Sequence, residues 1–217
     1  MRMFYHILAN TLVANVTNFF VWFALTYWVY LETLSVLTTS VMAGVFLTAT
    51  ALSGFWFGAI VDHNKKKYAM LLSSFLTLSI YIAGLLLLVT TPREVMTDVT
   101  QVPLWAFIVL ILLGSVAGNI RGIALPTLVT ILVPEGERDK ANGLAGTIMG
   151  ISFLIASVAS GFAIAFFGIF AVLAIAIACI LITIVHLTLL HVHEPGIVHL
   201  EGAPKRVDIK GTLVVVS

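Results

Sequence analysis

Along most of this chain apolar residues neither alternate with polar ones nor recur on one helical face; they run on, broken only by brief polar clusters. A helix needs about 20 mainly apolar residues to cross a hydrocarbon core about 30 Å thick. Six runs reach that length, at about residues 7–30, 36–61, 68–90, 104–128, 142–166 and 169–191, with ends uncertain by about 2–4 residues. The first run is longer than the core of a cleavable leader and has no small-x-small site before polar sequence, so it is expected to stay as helix one. LETLS and the sequence around Gly168 make short hairpins, and TPREVMTDVTQVP is the only sizeable loop on that side. The predicted fold is all-α and integral to a membrane, with residues 1–193 as a six-helix bundle and 194–217 as the start of a further loop.

Composition sharpens this picture. Hydrophobic residues make up 60% and charged residues 10% of the 217, and mean hydropathy is +1.12, whereas soluble domains carry about 25% charged residues. A water-soluble globule is excluded. Eleven Lys and Arg against ten Asp and Glu give a net charge of +1, so no basic field exists to attract nucleic acid. The lone cysteine, Cys179, has no intrachain disulfide partner.

Basic residues fix an expected orientation, because Lys and Arg concentrate in short cytoplasmic loops. With the N-terminus inside, Arg2, Lys65, Lys66, Lys67, Arg138, Lys140, Lys205, Arg206 and Lys210 are all inside and Arg93 alone is outside. Both termini are then cytoplasmic.

Polar residues within the runs mark candidate function. Thr11, Asn15, Asn18 and Trp22 recur at steps of four, three and four, which places them on one face of helix one. Such a face must meet other helices or a cavity, where it would either bond neighbouring helices or orient a mostly apolar small molecule. Asn10 falls off the stripe and has no assigned role. Arg121 is the one full charge inside a run; it either snorkels toward the cytoplasmic surface or contacts a charge partner or substrate. Small residues at whole-turn spacing, Gly54 and Gly58, Gly114, Gly118 and Gly122, then Gly146, Gly150, Ser157 and Gly161, read as helix-packing seams. His191, His193 and His199 follow no metal-site spacing, so neither a metal nor a cofactor is expected.

GAIVDHNKKK after the second run resembles the major facilitator superfamily, which has there a Gly, three residues, an Asp and a basic turn. Gly58 and Asp62 match, Lys66 and Lys67 fall on basic positions, and His63 and Lys65 stand where the family has a basic residue and a Gly. PEGERDKANGL, through Pro134, Arg138, Ala141, Asn142 and Gly143, is similar to the drug-efflux and macrolide-efflux branch, and ASVASG at 156–161 stands where drug antiporters often have Gly-Pro and paired glycines. The resemblance implies one half of a twelve-helix fold, built as two inverted three-helix repeats with substrate between the halves. It also implies that Gly58, Asp62, Lys66 and Lys67 form a cytoplasmic gate latch.

The expected function is secondary transport in the cell membrane: efflux of hydrophobic drug-like molecules, with drug resistance and antiport as its context. Thr11, Asn15, Asn18, Trp22 and Arg121 are the expected substrate-cavity residues. Glu32 and His186 are candidates for proton coupling, and a second six-helix half, from a longer chain or a second copy, is the expected partner. Alternatives are a transport-inactive truncated fragment or partner subunit, and an intramembrane enzyme. The enzyme is disfavoured because Ser160 lacks a GxSG setting, His186 has no evident serine partner and no HExxH occurs.

Overall fold

The computed structural model of the chain describes residues 2–192 and residue 194. His193, His199, Lys205, Arg206 and Lys210, with nearly all of the 194–217 loop, lie outside the described residues. Within them the chain is all-helical: α1 (Arg2–Thr33), α2 (Val36–His63), α3 (Lys66–Thr90), a short α4 (Arg93–Thr97) in the loop, α5 (Val102–Gly118), α6 (Ile120–Leu132), a 3-10 turn (Glu135–Glu137) and α7 (Arg138–Leu189). Five stretches are long and apolar enough to cross a membrane: α1, α2, α3, residues 102–132 and residues 135–189.

The last stretch is not one straight rod. At 1.5 Å per residue a 52-residue helix would be about 78 Å long, yet Gly168 inside α7 has φ 73° and ψ 177°, a conformation that only glycine adopts without strain. The N-terminal end of α1 touches both extremities of α7. Phe4 and Leu8 pack with Ala141, while the Asn10 amide reaches the Thr183 carbonyl. Residues 138–167 and 169–189 are therefore two arms folded back on each other beside α1.

Helix ends are built from local chemistry. Ser35 caps α2 by accepting from the Thr38 N–H at 3.1 Å, and the α1–α2 turn is tight enough to hold Leu34 at φ 50°. A break in the helical hydrogen bonding at Asn119 divides the run expected at 104–128 into α5 and α6.

The main core joins Phe20, Val21, Ala24, Leu25, Trp28 and Val29 of α1 to Phe107, Ile108 and Ile111 of α5 and to residues of both α7 arms, including Ala156 and Val172. A second cluster, with Ile7, Met70, Ile120 and Leu187, closes the end of the bundle where Arg2, Lys65, Lys66, Lys67 and Arg138 lie. The opposite end holds Gly168, α4 and the Glu32–Arg93 ion pair at 3.0 Å. Only Thr38, Met42 and Val61 of α2 are buried, so this helix presents most of its surface outward.

Two expected seams move. A Cβ at Gly114 would collide with the Tyr81 ring, and one at Gly118 would stand 2.9 Å from the Asn18 amide, so these two glycines permit close approach of α5 to α3 and α1. Among the described residues, no atom beyond the local helix backbone lies within 4 Å of a Cβ built at Gly54, Gly58, Gly122, Gly146 or Gly150, and one at Gly161 meets Tyr27 at 3.8 Å. Whole-turn spacing identified a smooth face but not its direction. The α2 face and that of the first α7 arm look away from this bundle.

Candidate functional site

The expected stripe on α1 divides between three settings. Asn15 and Asn18 line a cavity of about 30 Å³ together with Ser73, Thr77 and Tyr81 of α3 and Arg121 of α6. Trp22 stacks on Phe46 of α2 at 4.1 Å between ring centroids. Thr11 is buried, its hydroxyl oxygen without a hydrogen-bond partner among the described residues. Phe19 and Phe23 both meet Phe153 edge-on at 5.6 and 5.0 Å, forming an aromatic patch with α7 on the same side of α1 as Asn15.

Arg121 does not snorkel. It is 2% exposed; Nη1 donates to Asn10 Oδ1 at 2.6 Å and Nη2 to Ser74 Oγ at 2.7 Å. Asn10, off the stripe and unassigned from sequence, is the hub of this network. Its Nδ2 donates to the Thr183 carbonyl at 2.9 Å and lies 3.0 Å from His186 Nδ1. Because a guanidinium can only donate, the Asn10 oxygen must face Arg121 and the NH2 must face His186. His186 Nδ1 is then the acceptor, with its ring proton on Nε2. The available signal was the rarity of an amide so close to the first turns of an apolar helix, but nothing in its spacing named Arg121 as partner.

Two cavity hydroxyls of α3 and the Asn18 amide are oriented by α5. Ser73 donates to the Ala117 carbonyl at 2.8 Å and Thr77 to the Gly114 carbonyl at 2.9 Å, while Asn18 Nδ2 donates to the Ser115 carbonyl at 3.1 Å. Asn18 Oδ1 has no partner among the described residues.

The basic turn expected as a latch is a clasp on helix ends. Lys66 Nζ donates to the Val61 carbonyl at 2.6 Å, and Lys67 Nζ to the Leu190 and Thr188 carbonyls at 2.6 and 3.1 Å. These bonds satisfy terminal carbonyls of α2 and α7. Glu194 accepts from the backbone N–H groups of Lys66 and Lys67 at 2.6 and 2.8 Å, capping α3 from a distant part of the chain. Asp62 is exposed and forms no ion pair with either lysine among the described residues. Of the coupling candidates, Glu32 is paired with Arg93 at the opposite end, and His186 belongs to the Asn10 network. His191 is exposed.

With this geometry in place, a family model described as Major Facilitator Superfamily matches residues 7–216. No curated protein matches the chain.

Proposed function

The chain belongs to the major facilitator superfamily of membrane transporters, and from that premise we propose that it exports hydrophobic, drug-like molecules across the cell membrane by alternating access. In this reading α7 crosses the bilayer twice, turning at Gly168, so that α5 and α6 together form the fourth of six crossings in two inverted three-helix repeats. Reciprocal packing supports the repeats: α1 lies mainly on α7, and α5 and α6 mainly on α3. The glycine faces at Gly54, Gly58, Gly146 and Gly150, open in this bundle, would receive the second half, with the exposed Asp62 carboxylate at the gate between the halves.

The observation that carries the reading is the polar cavity of Asn15, Asn18 and Arg121 inside an otherwise apolar bundle, flanked by the Trp22–Phe46 stack that would hold an apolar substrate body. Polar groups at this depth are costly unless they serve packing or a transport path. Protons driving antiport would act at His186, whose Nδ1 lies 3.0 Å from the Asn10 amide. Both termini would be cytoplasmic.

The test is flux of a panel of hydrophobic fluorescent dyes of either charge in vesicles holding the full-length protein, with and without a pH gradient. Gradient-driven dye movement, reduced about tenfold or more by Trp22→Ala (the loss of about 1.4 kcal/mol of stabilisation), is expected. Absence of dye movement under both conditions would overturn the efflux reading.

A further inference from the structure

We infer that the cavity beside Arg121 is an anion site, which takes one negative charge in the form of a free halide or the carboxylate of an apolar organic anion. The inference deepens the transport reading and rests on it for the path by which an anion arrives.

The starting point is charge balance. Both partners of the Arg121 guanidinium, Asn10 and Ser74, are neutral. The ion pair among the described residues, Glu32 with Arg93, is 22 residues along α1 from Asn10, about 33 Å away at 1.5 Å per residue. Among the described residues no carboxylate lines the cavity. A full charge inside a membrane bundle costs at least about 2.5–3.5 kcal/mol, and a counter-ion is the most direct way to offset it. Of the five guanidinium N–H donors, acceptors among the described residues take two.

Size and polarity then narrow the ligand. A water occupies about 10–15 Å³ of such volume, so about 30 Å³ accepts a halide or a carboxylate head with one small companion, and is too small for sulfate or a phosphate ester. The Ser73 and Thr77 hydroxyl protons point at carbonyls of α5, which leaves their oxygens as acceptors, and Asn18 Oδ1 is an acceptor with no partner among the described residues. The site is therefore directional: the negative group belongs at Arg121, and a donor, either a water or a hydroxyl of the substrate, belongs at Asn18. A cation is opposed by Arg121 itself. One turn along α1 from Asn18, the Trp22–Phe46 stack offers an apolar surface for the body of an organic anion.

The experiment is thermal unfolding of the full chain in detergent, with sodium chloride or sodium acetate replacing sodium methanesulfonate, whose head is of sulfate size, at constant ionic strength. A saturable rise of about 5–10 °C at a hundredfold excess over the dissociation constant is expected for at least one of the two anions. A response to chloride alone identifies a halide co-ion, and a response to acetate alone identifies a carboxylate substrate. The rise should vanish in Arg121→Gln and in Ala14→Leu, the second of which fills the cavity while leaving the guanidinium in place and decides the matter if the first does not fold. No saturable rise with either anion, or an undiminished rise in Ala14→Leu, would overturn the site. Because the readout is equilibrium binding, it stands or falls independently of the flux assay.

Discussion

Asn10 makes three of the four hydrogen bonds open to its amide, with one charged donor on its oxygen and two acceptors on its nitrogen. Asn10→Leu removes an acceptor from a buried guanidinium, and a loss of about 2–3 kcal/mol is expected in denaturant unfolding, the usual cost of stranding a buried charged donor. His186→Leu removes one acceptor from the Asn10 amide and should cost less than Asn10→Leu in the same unfolding measurement, because the Thr183 carbonyl still accepts from that amide. Asn10 was illegible in the sequence for a physical reason. α1 is apolar on nearly every side, so its polar positions suggest a face without saying which neighbour covers it. Arg121, by contrast, stood out as the one charge within a run.

At the scale of elements, runs of apolar residues gave α2 and α3 to within two residues of their observed ends, because membrane-length hydrophobicity is set by bilayer thickness and hardly at all by context. What such runs cannot carry is backbone hydrogen bonding: the break at Asn119, the short α4 and the extension of α1 to Arg2 leave no mark on hydropathy. Gly168 marks the reversal in both sequence and structure. At φ 73° and ψ 177° a Cβ is strained although space is open around it, so Gly168→Ala should lower stability by about 1–3 kcal/mol through the backbone alone. Unfolding in detergent would show this, and an unchanged midpoint would mean that the two arms can separate at another residue. Glu194 makes the complementary case. The polar run DHNKKK marked the α2–α3 turn, but no local signal says that a carboxylate 128 residues away caps Lys66.

For the whole molecule, the open glycine faces and the exposed Asp62 raise the same issue of what this bundle is built to meet. Gly150 was read from spacing as an internal seam, for which Gly150→Leu would disrupt folding. With no atom beyond the local helix backbone within 4 Å of its Cβ among the described residues, the expectation reverses: the variant should insert and unfold like wild type, within about 0.5 kcal/mol, while transport fails because the added side chain holds a second bundle away. Asp62→Asn should behave alike in stability, since the carboxylate is exposed and has no ion pair among the described residues to lose. Its effect on transport should be a shift between inward-facing and outward-facing populations, the consequence of removing a charge that acts in only one of them. The two variants therefore separate docking from gating. Gly150→Leu should weaken association between the halves, measured by cross-linking across the glycine face, whereas Asp62→Asn should leave cross-linking intact and alter the accessibility of Asn18→Cys to a water-soluble thiol reagent. If Gly150→Leu instead lost expression and Asp62→Asn left accessibility unchanged, the outward faces would be lipid-facing surface and the gate would lie elsewhere in the molecule.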